Sequence, residues 1–458
     1  MTNVLLISTY ELGHQPFGLA SPAAWFKANG ADVACLDLAV QPLDRALIKT
    51  ANLIAIYLPM HTATRLAAER LPQLKSLNPK AHLCCYGLYA PANEAYLRRL
   101  GVDTILGGEF ESGLIALYYR LSSSTRADRH SQQADPSISL ERQEFLVPDR
   151  TSLPNLIDYA QLITPDGSTL PAGYTEASRG CKHLCWHCPI VPIYNGRFRV
   201  VGRNIVLADI RQQVDAGAQH ITFGDPDFLN GPGHAIPIVE ALHAEFPNLT
   251  YDVTIKIEHL LKYQQLLPVL RDTGCLFITS AVEAVDDNIL SNLDKGHTRS
   301  DFTQAATVLR ELGLVLKPTF VAFTPWTTAS TYLEMLSVIR ELKLIDNVAP
   351  IQYAIRLLIP AGSRLLDLRE IQDLVEPYNQ SALYYPWQHL DPVIDQLYER
   401  IFRLVLRSQK KEGSRAILFE NIWHTILELA PDLESNYQNE NIWDLAAKPV
   451  PRLSESWY

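Results

Sequence analysis

Short apolar runs alternate with stretches of helical periodicity over the first 120 residues. Five runs predict strands, at residues 4–8, 32–38, 53–58, 82–86 and 104–106. Short strands separated by helices are typical of an open, doubly wound parallel sheet, so the sequence predicts a Rossmann-like α/β domain over residues 1–120. Such sheets bind ligands beyond the carboxyl ends of their strands. We therefore expect a binding face on the loops that follow these runs.

A second alternating region begins near residue 171. Six more strands are predicted, at residues 174–178, 220–224, 251–256, 276–281, 316–323 and 351–358. With the helical segments between them, they predict a partial (β/α)6 barrel of the TIM type over residues 171–365. The polar stretch before it, residues 121–170, is predicted to be a linker and crossing segment. Residues 366–458 are mainly helical in pattern and predict a C-terminal helical region.

Composition and charge exclude several classes of protein. The chain has 458 residues, 47% hydrophobic and 20% charged, as expected of a globular protein with sizeable cores. Its net charge of −10 argues against a nucleic-acid partner. No apolar run approaches the roughly 20 residues of a membrane span, and the first residues lack the basic region of an export signal. We expect a cytoplasmic protein that has no membrane partner.

The seven cysteines are distributed unevenly. An odd count without an export signal argues against a disulfide scaffold. Three cysteines lie close together as Cys181, Cys185 and Cys188, directly after a predicted strand. Thiolates at this spacing can converge on an iron–sulfur cluster that leaves one iron open. The alternative is a structural zinc loop in which His183 or His187 is the fourth ligand.

The sequence around these cysteines resembles that of a known family. The spacing Cys-x-x-x-Cys-x-x-Cys after the first strand of a barrel, preceded by Ser178-Arg179-Gly180, is similar to the radical S-adenosylmethionine (SAM) superfamily. The resemblance implies that the three cysteines hold a 4Fe-4S cluster. It also implies that SAM binds the open iron and is reductively cleaved to methionine and a 5′-deoxyadenosyl radical.

The ends of the predicted barrel strands supply further candidate residues, since working residues of such barrels lie there. The text after the fourth strand resembles the superfamily's Gly-Val-Glu-Ser turn, and Lys295-Gly296-His297-Thr298 resembles the Lys-Gly-x-Thr text that follows it. The fifth strand end departs from the superfamily pattern. The residues expected to bind cofactor are Gly224, Asp225, Lys256, Ser280, Glu283 and Arg356. Each is also an ordinary turn or capping residue when taken alone.

The predicted N-terminal domain, placed before such a barrel, resembles the cobalamin-binding subgroup of the superfamily. Text at residues 15–20 and 107–111 is similar to loops of that subgroup. The resemblance implies cobalamin as a further cofactor. The Asp-x-His-x-x-Gly pattern of an axial cobalt ligand is missing, and His14 and His61 are more simply turn or surface residues. Cobalamin then binds without an axial histidine, or the domain is a relic or partner surface.

The closing text, residues 450–458, resembles the end of a radical SAM group whose members carry a Cys-Cys-Ala-Glu-Pro tail, with selenocysteine in place of one cysteine in some. This chain stops where that tail should begin. The resemblance predicts a cysteine or selenocysteine tail beyond Tyr458 in the full gene product. Such an arm binds soft atoms such as trivalent arsenic.

These observations predict a radical SAM enzyme that acts on a small molecule and takes its electron from a reductant such as flavodoxin or ferredoxin. One alternative is transfer of a SAM-derived group to a soft atom such as arsenic. Another is a zinc-stabilised α/β binding protein without catalysis. Tyr194 and Trp326 are candidate lining residues at the barrel mouth. The other four cysteines, at positions 35, 84, 85 and 275, are predicted to be buried small hydrophobes.

Overall fold

In a computed structural model, residues 3–123, 137–411, 414–436 and 449–454 are described. The first sheet is entirely parallel, with strand order β2-β1-β3-β4-β5-β6. Its strands are β1 (Asn3–Ser8), β2 (Asp32–Asp37), β3 (Leu53–Tyr57), β4 (His82–Tyr86), β5 (Thr104–Gly108) and β6 (Ile138–Ser139). The predicted doubly wound sheet is confirmed.

Helices cover both faces of this sheet, which explains why its strands are apolar throughout and not alternating. They are α1 (Phe17–Ala28), α2 (Arg45–Thr50), α3 (His61–Leu77), α4 (Glu94–Arg99) and α5 (Glu111–Ser122). Successive residues of β3 enter opposite cores: Ile54 packs in one cluster and Ala55 in the other. Cys84 and Cys85 are likewise buried on opposite faces, as small hydrophobes.

The second sheet has the order β14-β13-β12-β11-β8-β7-β15 and curls into a partial barrel. Its parallel strands are β8 (Thr169–Thr175), β11 (His220–Phe223), β12 (Thr250–Thr254), β13 (Cys275–Glu283) and β14 (Val315–Phe320). The edge strands β7 (Gln161–Ile163) and β15 (Arg452–Leu453) pair antiparallel. A separate antiparallel ribbon joins β9 (Ser178–Gly180) to β10 (Phe198–Val200).

The helices of the remaining chain surround this sheet and follow it. They are α6 (Val191–Tyr194), α7 (Arg203–Asp215), α8 (Pro232–Glu245), α9 (Ile257–Lys262), α10 (Leu267–Asp272), α11 (Asp287–Asn292), α12 (Arg299–Glu311), α13 (Ala329–Glu341), α14 (Arg369–Leu374), α15 (Pro392–Lys411) and α16 (Arg415–Leu429). No helix in the described ranges is long and apolar enough to cross a membrane.

The predicted sixth barrel strand, residues 351–358, is wrong. Pro350–Ala354 is a 3-10 helix, and only a single parallel bridge joins Phe323 to Arg356. The Gln352 side chain accepts the Phe320 backbone N–H at 2.8 Å, a donor that a sixth strand would otherwise bind. The barrel is therefore open at this edge, where α15 and α16 pack against the same core. Division of the chain near residues 120, 170 and 365 stays a prediction.

Candidate functional site

The three clustered cysteines lie on a loop that begins where β9 ends. Gly180 has φ +75°, and a Cβ there would lie 2.5 Å from the Arg197 carbonyl oxygen, so the sharp turn into the loop requires glycine. Cys181 and Cys185 are buried, Cys188 is partly exposed, and none forms a disulfide. The loop ends at the short helix α6. The fold thus presents three free thiols on one loop that follows β9.

Two lysines give this loop a cationic environment. The Lys256 Nζ lies 3.8 Å from Cys185 Sγ, and the buried Lys295 interacts electrostatically with Cys185 and Cys188. Burial raises the pKa of the Cys188 thiol to about 12, so the free thiol is protonated at neutral pH. A bound metal must displace that proton. Three thiolates around iron carry negative charge, which the two lysines offset, so the donor set fits a 4Fe-4S cluster.

Glu283 joins the end of β13 to the cysteine loop. Its carboxylate lies 3.2 Å from the Lys295 Nζ and 3.1 Å from the His187 Nε2, which belongs to the loop. Burial alone would raise its pKa, but Lys295 and His187 outweigh burial and lower it to about 2. The residue also has φ +67°, a strained conformation for glutamate that accumulates at functional sites. Glu283 is therefore an ionised, fixed carboxylate beside the thiols.

Buried polar atoms without a protein partner make this region suited to bind a polar ligand. Ser280 Oγ, both ring nitrogens of His297 and the Asn230 amide nitrogen are buried without a hydrogen-bond partner among the described residues. Burying such groups unpaired costs roughly 1–3 kcal/mol each, so native proteins seldom leave them so. The side-chain oxygen Oδ1 of Asn230 lies 3.9 Å from Cys181 Sγ, so this amide is next to the cysteine loop. The amino, carboxylate and hydroxyl groups of SAM match these partners in type.

Gly224 and Asp225 lie after β11, as predicted, but their contacts are structural. Asp225 accepts hydrogen bonds from Ala177 N at 2.9 Å and Ser178 Oγ, and burial raises its pKa to about 7. It therefore fixes the chain that enters the cysteine loop. A Cβ at Gly224 would overlap the Tyr174 hydroxyl, so close packing requires glycine there.

Among the described residues, the hydrogen bonds and ion pair of the Arg356 side chain are with Asp395 and Trp387 and not with the other predicted cofactor residues. Its guanidinium forms an ion pair with Asp395 on α15 at 2.6 Å and donates to the Trp387 carbonyl at 2.9 Å. It also stacks 3.8 Å above the Trp387 ring. These contacts hold the C-terminal helical region against the open barrel edge. Because the sixth strand is reduced to one bridge, its end does not present Arg356 as a regular barrel strand would.

A buried ionic network, which the sequence did not reveal as a functional unit, joins the two sheets. Arg179 lies 2.6 Å from Glu176, 2.8 Å from Glu111 and 3.5 Å from Glu109. Its guanidinium also packs over the Phe110 ring at 5.0 Å. The sequence contains both segments, Ser-Arg-Gly-Cys at residues 178–181 and Gly-Gly-Glu-Phe-Glu at residues 107–111. It does not show that their side chains pair. The network fixes β9, and hence the start of the cysteine loop, to the first sheet.

The carboxyl ends of both sheets face a common cavity of about 190 Å³. Its walls carry Glu11 and His14 from the first sheet and Glu176 and Tyr194 from the barrel side. Burial lowers the pKa of His14 to about 4, so this imidazole is uncharged at neutral pH, and burial raises the pKa of Glu11. Tyr194 donates to Glu109 at 3.2 Å. This cavity is where the doubly wound sheet would present a ligand to the barrel.

The cavity is only partly enclosed, so its volume of about 190 Å³ does not set an upper limit on the size of the ligand that it binds. His61, the other lone histidine, binds the Ala382 carbonyl at 2.6 Å through Nε2. Trp326 lies elsewhere and donates to Glu370 at 2.7 Å.

Sequence comparison identifies the barrel. Residues 175–327 match the family model described as the Radical SAM superfamily. A tRNA-2-methylthio-N(6)-dimethylallyladenosine synthase of Chloroherpeton thalassium (strain ATCC 35110 / GB-78) is 22% identical over 242 residues, 47% of this chain and 53% of that protein. The synthase of the same name from Sulfurihydrogenibium sp. (strain YO3AOP1) is 23% identical over 268 residues, covering 54% and 59%. The chain thus spans little more than half the length of these relatives.

Solved structures share the fold at low sequence identity. The cobalamin-dependent SAM radical enzyme OxsB with aqua-cobalamin bound has a TM-score of 0.68 at 13% identity, covering 96% of this chain and 76% of that one. The radical SAM methyltransferase TsrM from Kitasatospora setae, with cobalamin and a 4Fe-4S cluster bound, has a TM-score of 0.60 at 16% identity, covering 75% and 73%. The predicted fold class is confirmed by these likenesses.

Proposed function

We propose that this chain, an enzyme of the Radical SAM superfamily, binds a 4Fe-4S cluster through Cys181, Cys185 and Cys188 and uses it to cleave SAM. The observation that carries the proposal is the cysteine loop itself. Three free thiols lie beside two buried or near-buried lysines at the carboxyl ends of a curled parallel sheet. A purely structural zinc loop would not need an adjacent set of unsatisfied polar side chains. Superfamily members are enzymes that use these two cofactors.

Each surrounding residue has a distinct part in this proposal. When bound, the cluster supplies the electron that cleaves the sulfonium bond of SAM. Lys256 and Lys295 offset the charge of the thiolates, and Glu283 fixes Lys295 and His187 in place. Ser280 and His297 have the unpaired hydrogen-bonding atoms that would hold SAM. The open barrel edge is covered by the C-terminal helices, which limits access of water to the site.

Anaerobic reconstitution tests this proposal. The wild-type protein should become brown, bind about four iron atoms per chain and release 5′-deoxyadenosine when given SAM and dithionite. Cys185→Ala should lose the iron and the product while its circular dichroism stays unchanged. Cys275→Ala is the matched control, because Cys275 is equally buried but belongs to the barrel core. Iron content unaffected by Cys185→Ala would contradict the ligand assignment.

The substrate class in this proposal is a small molecule. The cavity between the two sheets has apolar and acidic walls, and the chain's net charge of −10 does not favour a polyanion. The chain covers only 53% and 59% of the relatives named tRNA-2-methylthio-N(6)-dimethylallyladenosine synthase, which does not support the same substrate for this chain. A reductant such as flavodoxin or ferredoxin would supply the electron. Adding total tRNA should leave 5′-deoxyadenosine production unchanged, and stimulation by tRNA would contradict this choice.

Cobalamin binding stays a prediction, supported by the fold likeness to OxsB and TsrM. The candidate site is the cavity of about 190 Å³ between the carboxyl ends of the two sheets. Incubation with hydroxocobalamin followed by desalting tests it. Retained corrin absorbance would support the prediction, and a colourless apo-protein would oppose it.

The tailed radical SAM group also stays a prediction. Residues 455–458 lie outside the described residues, and β15 at residues 452–453 pairs with β7. Transfer of a SAM-derived group to a soft atom such as arsenic depends on that tail. Sequencing the gene past the codon for Tyr458 tests both ideas, because an ordinary stop followed by unrelated sequence would oppose them.

A further inference from the structure

Three side-chain atoms of different elements converge beside the cysteine loop. Asp227, after β11, directs Oδ2 toward His259 Nδ1 on α9 at 2.6 Å and toward His183 Nε2 in the loop at 3.5 Å. The three atoms lie within 4.8 Å of one another. All three are buried, and Asp227 Oδ2 faces both imidazoles, with an ion-pair contact to the nearer one, His259. The three atoms therefore converge on one region beside the cysteine loop.

The outer contacts of this group are those of a metal site. His183 Nδ1 lies 3.5 Å from Glu258 Oε2, and Asp227 Oδ1 accepts the Leu229 backbone N–H at 3.3 Å. Metal-binding histidines usually place their second ring nitrogen against a carboxylate, which fixes the tautomer and orients the ring. Glu258 is itself 3.7 Å from Lys256 Nζ. His183 Nδ1 and Asp227 Oδ1 therefore each have a neighbour away from the group. His183 Nε2, Asp227 Oδ2 and His259 Nδ1 face one another.

A second histidine–aspartate pair in the barrel shows the difference. His220 binds Asp252 at 2.9 Å through Nε2 and Thr250 at 2.8 Å through Nδ1, so both ring nitrogens are satisfied. That pair is an ordinary buried hydrogen-bond network. The His183, Asp227 and His259 group has an extra imidazole, and one atom of each of its three side chains faces the same region. Two imidazole nitrogens and a carboxylate oxygen that converge in this way form a donor set that a divalent transition-metal ion can bind.

We propose that His183, Asp227 and His259 bind one divalent transition-metal ion, separate from the cysteine cluster. Two imidazoles and one carboxylate suit Zn²⁺ or Fe²⁺ and leave at least one coordination position open. Because His183 stands between Cys181 and Cys185, the ion ties the cysteine loop to the ends of β11 and β12. This site uses no thiolate, which distinguishes it from a zinc loop built on the cysteines. It does not depend on the proposed reaction.

Zinc analysis of the cluster-loaded protein tests the site without an activity measurement. Protein reconstituted with iron and sulfide, then dialysed against Zn²⁺ and desalted, should hold about one zinc per chain beside its iron. The zinc absorption edge should show nitrogen and oxygen neighbours at about 2.0–2.1 Å and no sulfur shell at about 2.3 Å. A sulfur shell would place the zinc on the cysteines and overturn the proposal, as would the absence of zinc.

Variants separate the site from the fold. Asp227→Ala and His259→Gln should lose the zinc while retaining iron, and Glu258→Gln should weaken zinc binding by roughly 10–100-fold. His220→Gln is the matched control and should retain both metals, because its pair is complete without an ion. If Asp227→Ala does not fold, His259→Gln decides, since it keeps most of the side-chain volume. Zinc retained by His259→Gln would refute the assignment.

Discussion

Replacing Arg179 with methionine should destabilise the protein more than removing any exposed arginine. The guanidinium is 7% exposed and lies within 3.5 Å of Glu109, Glu111 and Glu176, which are about as deeply buried. Breaking a buried ion pair by removing one partner costs roughly 3–5 kcal/mol, because the remaining charge has no compensation. Three carboxylates depend on this one cation, so we expect the upper part of that range.

The destabilisation should depend on pH. Burial already raises the pKa of Glu109 to about 7 with Arg179 present, and the guanidinium opposes that rise. Without it, the folded-state pKa rises further above the unfolded value of about 4.3, so the folded variant binds more protons. Its stability is then greatest below the unfolded pKa and is lost as pH rises through the folded pKa. The loss should be smaller at about pH 6 than at about pH 8.5.

Urea unfolding followed by circular dichroism at both pH values measures the effect. Arg211→Met is the matched control, because Arg211 forms a bidentate pair with Glu245 while 48% exposed. Such surface pairs contribute about 0–1 kcal/mol. A loss below about 1 kcal/mol for Arg179→Met, or the same loss at both pH values, would refute the reasoning.

Three further predictions concern the site. The wild type should lose stability between about pH 4.5 and pH 2, because the pKa of Glu283 is lowered to about 2 and its contribution is lost as pH falls through that value, and Glu283→Gln should flatten this fall in an acid titration followed by circular dichroism. Gly224→Ala should lower the free energy of unfolding in urea by about 1–3 kcal/mol, because the added Cβ overlaps Tyr174, whereas Gly233→Ala has open space around its Cβ and should not lower it. Lys256→Met should lower the cluster's reduction potential in an EPR titration, since it removes a positive charge 3.8 Å from Cys185, and an unchanged potential would contradict this.

Much of the fold follows from local pattern. Parallel strands between helices must be apolar on both faces, so the runs at residues 53–58 and 82–86 indicated buried strands without further information. The cysteine spacing indicated the cluster loop for a similar reason, because ligands seven residues apart converge through short-range geometry alone. The prediction of a sixth strand was wrong, because the Gln352 side chain accepts the Phe320 backbone N–H that a neighbouring strand would otherwise accept. Local periodicity does not reveal that a side chain takes the place of a strand.

The sequence by itself therefore determined the two α/β sheets, the cysteine loop and the strand ends beside it, including Lys256, Ser280 and Glu283. Only the tertiary structure decided that Arg179 pairs with carboxylates 68 and 70 residues away in the chain. It also decided that Arg356 serves the C-terminal helices, and that His183, Asp227 and His259 face one point. Local spacing specifies groups that one turn or one strand brings together. Charge pairs and ligand sets drawn from separate elements exist only once packing has set the distance and direction between those elements.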